Sequence, residues 1–482
     1  MRLVVGRWWL VVVALVLGSC ATNPATGRRE ISLMSESQEI AIGKEQDALI
    51  RKEMGVYNDP ELQQYVQTIG LGMAKISERP NLPWSFAVVD QPAINAFALP
   101  GGYIYITRGI LPFLDNEAEL AGVLGHEIGH VTARHSAQQY TRAVGGTVGL
   151  AALGIFVPGA RPFGDIAGQG LAVLFLKYGR DDELQADGLG ARYAVRQNWD
   201  PADVPGMLST LGRLAEADGS SKGVPNFLST HPEPLARVKE IAPQVEMLRA
   251  GRTDLMRDRE ALLRRVDGVI FGDNPEQGIV RGAAFLHPPL RFRVDFPNGW
   301  DIQNSPEQVV AKAPNADVYM LLQAVQQPQG ANIQEIALNS MRGAGFQAVS
   351  GERVTINGIN AFVGVYQGML EGLGQVQMRA AHIPHGNSVY MLGGLTAPNL
   401  FQQSDAAFNA SIRSFRALTA AEAENIRPNR VDIYVVRQGD TWASIAERSG
   451  GTIRPATLAV MNGAEPSSAP QVGSRIKIVV GG

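Results

Sequence analysis

The sequence predicts an α+β protein of several domains, on three observations. At 482 residues the chain exceeds what one ordinary core organises. Its first half is dominated by runs of helical period around a short group of strand-like segments. From about residue 282 alternating segments take over, and residues 431–482 run strand, helix, helix, strand. The expected order is a mainly helical domain with a small sheet, an antiparallel α/β sandwich, and a small βααβ module.

The N-terminus reads as a targeting segment. Arg2 and Arg7 precede the apolar run Trp8 to Leu17, too short to span a membrane comfortably and of the length of a signal h-region. It ends in Leu17-Gly18-Ser19-Cys20, the only Cys of the chain. Disulfides within the chain are thereby excluded, and His and carboxylate remain as ligands for a metal such as zinc. Residues 1–20 are read as the signal and 21–33 as a polar tether.

A first domain over 34–270 follows. Helices are expected over Glu36 to Glu53 and Asp59 to Ile76, where Pro60 suits a first turn. Trp84 to Asp90, Ala93 to Leu99 and Tyr103 to Thr107 are strands, with Pro100-Gly101-Gly102 turning between the last two. Tyr103 to Thr107 is either an ordinary paired strand or an open edge to which an extended chain adds. One helix is expected from Asn116 to Gln139. Val144 to Val157 and Ile166 to Leu176 carry almost no charge and read as buried helices or as a hairpin that dips into a membrane or covers a substrate. Helices over Asp182 to Gln197, Pro201 to Ala215, Pro234 to Ala242 and Leu248 to Val266 close the domain.

Residues 281–418 alternate strands, among them Val318 to Val325, Phe362 to Tyr366 and Val376 to His382, with helices over Asn332 to Arg342 and Leu400 to Phe415. This region holds no cluster of catalytic residue types, and His382 and His385 read as exposed residues in or beside a hairpin turn. Residues 419–430 form a polar linker. In the last module Thr441 or Asp440 caps one helix and Pro455 opens the next. Hydrophobic content of 45% with 18% charged residues rules out wholesale disorder, and a net charge of -3 offers no basic surface, so no nucleic-acid partner is expected.

The chemistry concentrates in His126-Glu127-Ile128-Gly129-His130. Two imidazoles four apart share one helix face and reach one metal ion, while the intervening carboxylate is placed to take a proton from water activated by that ion. Two histidines do not complete a catalytic site, so a third ligand is needed. Glu183 and Asp187, also four apart, supply one ligand and one partner that orients a ligating imidazole; the spacing alone does not say which does which. His135, five after His130, points away from the metal face on a continuous helix.

These motifs resemble zinc metallopeptidases of family M48. HEIGH followed by Glu183-Leu184-Gln185-Ala186-Asp187 carries the likeness, together with Asn23 to Arg29, Asn95 to Gly102, and Ser229-Thr230-His231-Pro232 with Arg237. Gly179 departs from the Ser common before the Arg in relatives. The resemblance implies a gluzincin-type domain holding one zinc ion per subunit through His126, His130 and Glu183, with Glu127 as general base. Asp187 orients a ligand, most simply His126. His231 is implied as a donor to the oxyanion or as a transient fourth ligand that shuts the site, and Arg237 as a partner of Glu183 or a neighbouring carboxylate.

Other likenesses are more local. Leu17 to Cys20 is similar to the lipobox of bacterial lipoproteins, implying a lipid anchor on Cys20, and Ala21 after it implies the outer membrane. Phe296-Pro297-Asn298-Gly299-Trp300 gives the middle region a weak resemblance to PsbP-like modules. Val435 to Thr441, Ile445-Ala446 and Asn462-Gly463 resemble a LysM domain, implying peptidoglycan as a partner or a purely structural cap. The combined expectation is a lipid-anchored periplasmic zinc endopeptidase acting on unfolded or misassembled envelope proteins. The alternative is a chaperone or assembly scaffold for outer-membrane proteins with a mostly closed zinc site.

Overall fold

In a computed structural model the described residues are 20–142, 178–218, 227, 231–326, 331–370 and 372–482. Residues 1–19 of the expected signal 1–20, the two apolar runs within 143–177, and Ser229 and Thr230 lie outside them. The chain forms two compact units, one of residues 1–272 with 429–481 and one of 273–428.

In the first unit, α1 (Glu36–Met54) begins at a capping box between Ser35 and Gln38, and α2 (Pro60–Ala74) begins at Asp59. A three-stranded sheet follows. β3 (Tyr103–Thr107) lies in its centre, parallel to β1 (Ser85–Val89) and antiparallel to β2 (Ala96–Leu99). The open-edge reading of Tyr103 to Thr107 is therefore wrong: both its sides are paired, and β1 and β2 are the edge strands of this sheet. Gly101 and Gly102 have φ of +82° and +101°, as the tight return between β2 and β3 requires.

α3 (Glu117–Thr132) is capped by Asn116, and every one of its residues is buried. It ends earlier than the expected helix to Gln139. Arg134 takes φ +60°, and a second helical run starts at 135 on a new axis. The period that runs through Ala133 is thus broken by one left-handed residue, which the hydrophobic pattern does not encode. α4 (Arg180–Arg196), α5 (Asp203–Asp218), α6 (Pro234–Arg249) and α7 (Arg259–Val266) complete this part, followed by the short strand β4 (Ile270–Phe271).

The second unit is built on a seven-stranded antiparallel sheet. Its strands are β5 (Asp301–Asn304), β6 (Gln308–Lys312), β7 (Val318–Val325), β8 (Gln347–Ile356), β9 (Ile359–Leu370), β10 (Gly374–His385) and β11 (Ser388–Thr396), in the order β5-β6-β7-β11-β10-β9-β8. α8 (Ile333–Gly343) and α9 (Pro398–Ser414) pack on it, and a four-stranded sheet of short strands stands beside it. His382 is not an exposed turn residue. It lies in β10 opposite Phe362 and Met391, fully buried, because the strand runs on to His385 and the hairpin turn falls four residues later at Gly386.

The last module runs β12 (Asn429–Val435), α10 (Trp442–Arg448), α11 (Pro455–Met461) and β13 (Arg475–Val480). β12 pairs with β13 on one side and with β4 on the other, Asn429 opposite Phe271. Its apolar residues, including Val436, Leu458 and Ile478, belong to the same core cluster as Leu120 and Leu124 of α3. The overall class is α+β, as the sequence predicts.

Candidate metal centre

The site forms where α3 crosses α4, and small residues set how closely they approach. A Cβ on Gly190 of α4 would lie 2.8 Å from the backbone N of His126, and one on Gly129 of α3 would lie 2.9 Å from the carbonyl of Ala186. Backbone therefore meets backbone, and Glu183, one turn before Asp187, arrives beside the two imidazoles of α3. Gly179 caps α4 without a side chain. Its N–H donates to Asp182 Oδ2 at 3.3 Å, so the missing hydroxyl leaves the helix start intact.

Four candidate ligand atoms from His126, His130, Glu183 and His231 lie within 4.8 Å of one another, all buried. His130 Nε2 stands 3.0 Å from His126 Nε2, and His231 Nδ1 is 3.3 Å from His126 Nε2. Glu183 oxygens lie 3.7 Å from His126 Nε2 and 3.6 Å from His130 Nε2. Nitrogen and oxygen ligands about 2.0–2.1 Å from a tetrahedral centre are roughly 3.3 Å apart, so the donor set and its spacing fit a zinc-sized ion. The second test is Glu127. Both its oxygens are buried and accept no hydrogen bond from the described residues, an arrangement that is costly unless the carboxylate has a use. Burial pushes its pKa up against the opposing pull of His231 and His126.

A network behind the donors fixes their orientation. His126 Nδ1 is 2.9 Å from Asp187 Oδ1. Arg237 of α6 donates through Nε and Nη2 to the two oxygens of Asp187 at 2.8 and 2.6 Å, and its Nη1 pairs with Glu183. Burial alone raises the Asp187 pKa, but hydrogen bonds from His126 and Arg237 outweigh it and hold the carboxyl down at about 2. Glu183 is likewise held below the usual range, since His231, His126 and Arg237 together overcome its burial. His130 is pushed well down by burial and the neighbouring cationic groups, which keeps it neutral, the form a metal needs. Burial also opposes charge on His231, yet Glu183 and Glu127 raise its pKa on balance.

Each candidate residue named from the sequence falls inside this network. Four contacts were not read there. His135 Nδ1 is 2.8 Å from His130 Nδ1, because the break at Arg134 swings it back, and Gln185 holds its other nitrogen at 2.9 Å. Tyr178 stacks on His130 with centroids 3.9 Å apart, and Phe227 stacks on His231 at 4.3 Å. The one sequence signal for Tyr178 is its position just ahead of α4; Phe227 had none.

His231 lies between α5 and α6, and Phe227, also between them, donates its N–H to the carbonyl of Ile94, just before β2, at 3.1 Å. His231 Nε2 lies 3.6 Å from Glu127 Oε1. The imidazole thus stands between the general-base candidate and the other donors.

A buried helix with two imidazoles and a carboxylate in HExxH spacing, completed by a glutamate from a later helix, defines the metallopeptidase class. Residues 60–244 match Peptidase family M48 and residues 434–479 match the LysM domain, and the chain carries a peptidase domain of family M48. The family implies a bound metal. The chain is 30% identical over 259 residues to the Beta-barrel assembly-enhancing protease of Escherichia coli (strain K12), covering 50% of this chain and 52% of that one. It is 30% identical over 230 residues to Mitochondrial metalloendopeptidase OMA1 of Arabidopsis thaliana, covering 47% and 45%. The chain thus spans about half the length of the curated relatives it matches. Among solved structures, cyanobacterial PsbP from Synechocystis is similar at a TM-score of 0.23 and 13% identity over 29% of this chain and 95% of that one, too slight a likeness to define the middle unit.

Proposed function

We propose that this chain is a zinc-dependent endopeptidase that hydrolyses misfolded or misassembled proteins of the bacterial envelope. The observation that carries it is the buried Glu127 carboxylate, which accepts no hydrogen bond from a described residue, beside the converging donors of His126, His130 and Glu183. A zinc ion held there supplies Lewis-acid activation of water and of the scissile carbonyl. Glu127 takes the proton from the attacking water and passes it to the leaving amine. Asp187 and Arg237 hold His126 in one tautomer and keep Glu183 ionised.

The match to the LysM domain and the bacterial relatives named for β-barrel assembly support an envelope location. In this reading Cys20 is lipid-modified, the anchor lies in the outer membrane, and residues 431–482 contact peptidoglycan. The test is Glu127→Gln, which is expected to keep its zinc and lose cleavage of an unfolded protein such as casein. Undiminished cleavage by that variant sinks the mechanism, and cleavage that survives chelation sinks the metal. His231 inside the donor cluster favours a second reading, an assembly scaffold whose site is mostly closed. That reading requires Glu127→Gln to complement a deletion strain fully.

A further inference from the structure

The C-terminal module reaches the metal helix at the end away from the histidines. β13 carries Lys477, a cationic residue with no exposed surface. Its Nζ donates to the carbonyl of Leu114 and lies 3.5 Å from Asp115 Oδ1, while its backbone N–H donates to Asn462 Oδ1 at 2.8 Å. Leu114 and Asp115 are the two residues before the Asn116 cap of α3. The module touches the same place a second time. Gly463 packs so closely that a Cβ there would lie 1.9 Å from Asp115 Oδ2. On the peptidase side, Arg259 donates to the Asp115 carbonyl at 2.9 Å, and the Asp115 N–H donates to Glu119 Oε2 at 2.7 Å.

Burying an ammonium costs several kcal/mol unless it is well partnered, whereas a methionine fills a similar volume without that cost. Burial pushes the Lys477 pKa down to about 8. What offsets this cost is a directional hydrogen bond to the Leu114 carbonyl together with the Asp115 carboxylate beside it, both at the start of α3. His126 lies roughly 15 Å further along the same helix, at 1.5 Å per residue. Because α3 is buried throughout, it moves as a body, and a displacement at its cap is carried to its histidines.

We propose that Lys477 is a positioning residue of the peptidase: by holding the Leu114 carbonyl it sets the placement of His126, Glu127 and His130 against Glu183. The C-terminal module is then part of the catalytic unit, whatever else it binds. This rests on the peptidase reading above. The test uses the full chain with Lys477→Met, Lys477→Arg and a control, Ile445→Ala, in α10, which packs on α11 and β13.

With casein, Lys477→Met is expected to lower kcat by about tenfold or more while KM stays within about twofold, since misplacement by an ångström costs up to about a hundredfold. Lys477→Arg restores part of kcat. Amide exchange over residues 117–124 of the metal-free protein rises in Lys477→Met and not in Ile445→Ala, even where the two lower the thermal midpoint equally. If Lys477→Met does not fold, Asn462→Ala, which frees the Lys477 backbone and keeps its ammonium, carries the same expectation. A kcat within twofold of the parent with unchanged exchange, or an equal kcat loss in Ile445→Ala, overturns the proposal. An inactive parent chain counts against the peptidase reading instead, and the exchange measurement still decides the role of Lys477.

Discussion

On the proposed reading, His231 governs the resting state of the site. Its ring lies among the donors, 2.9 Å from Glu183 Oε1, 3.3 Å from His126 Nε2 and 3.6 Å from Glu127, and Phe227 stacks against it. A catalytic zinc keeps one position open for water, and four protein donors close it. His231→Ala is therefore expected to keep the metal and to raise the initial rate of casein cleavage severalfold. A rate that falls by about a hundredfold shows instead that the imidazole stabilises the oxyanion. The sequence placed His231 near the site only through a family likeness. No local spacing shows that a loop some hundred residues after the metal helix returns to it (231 − 126 = 105 positions).

At the scale of elements, β10 carries a prediction about acid. His382 is fully buried there with neither ring nitrogen hydrogen-bonded to a described residue, and burial pushes its pKa down to about 4. An unfolded histidine titrates near 6.5, so between pH 6.5 and 4 the unfolded chain binds the proton and the folded one does not. The stability of this sheet is thus full above about 6.5 and falls as the pH drops towards 4. His287 acts in the same direction. His382→Leu removes an unpartnered polar group, worth about 1–3 kcal/mol, and is expected to flatten the acid loss. Amide exchange in β9 to β11 at pH 7 and pH 5 measures both; an equal acid response in the two proteins refutes it.

The same element shows where sequence reading runs out. Alternation identified the strand, but a turn displaced by three residues moved His382 from surface to interior. Likewise the helical period placed His126 and His130 on one face of α3, and their Nε2 atoms stand 3.0 Å apart. It could not show that Arg134 ends the helix, because left-handed backbone in a non-glycine residue comes from tertiary context.

At the scale of the molecule, the first unit is discontinuous. β12 pairs with β4, so residues 271 and 429 lie opposite each other and the middle unit leaves and returns at adjacent points of one sheet. The sequence read residues 431–482 as a module beyond a linker, since an amphipathic βααβ pattern looks the same whether its apolar face is private or shared. A chain in which a short Gly-Ser linker replaces residues 273–428 is expected to fold and to bind one zinc ion. Loss of zinc binding by a soluble deletion protein refutes the separability of the two units.

The pairing of β12 with β4 also sets a schedule. A polypeptide is made from its N-terminus, and domains condense as they emerge. Here the strand that completes the sheet, and the lysine that reaches the metal helix, are synthesised only after the middle unit. The first unit must wait, with its apolar face uncovered, until the whole middle unit has been made. A chain stalled before residue 429 therefore lacks the closing strand that joins its own core.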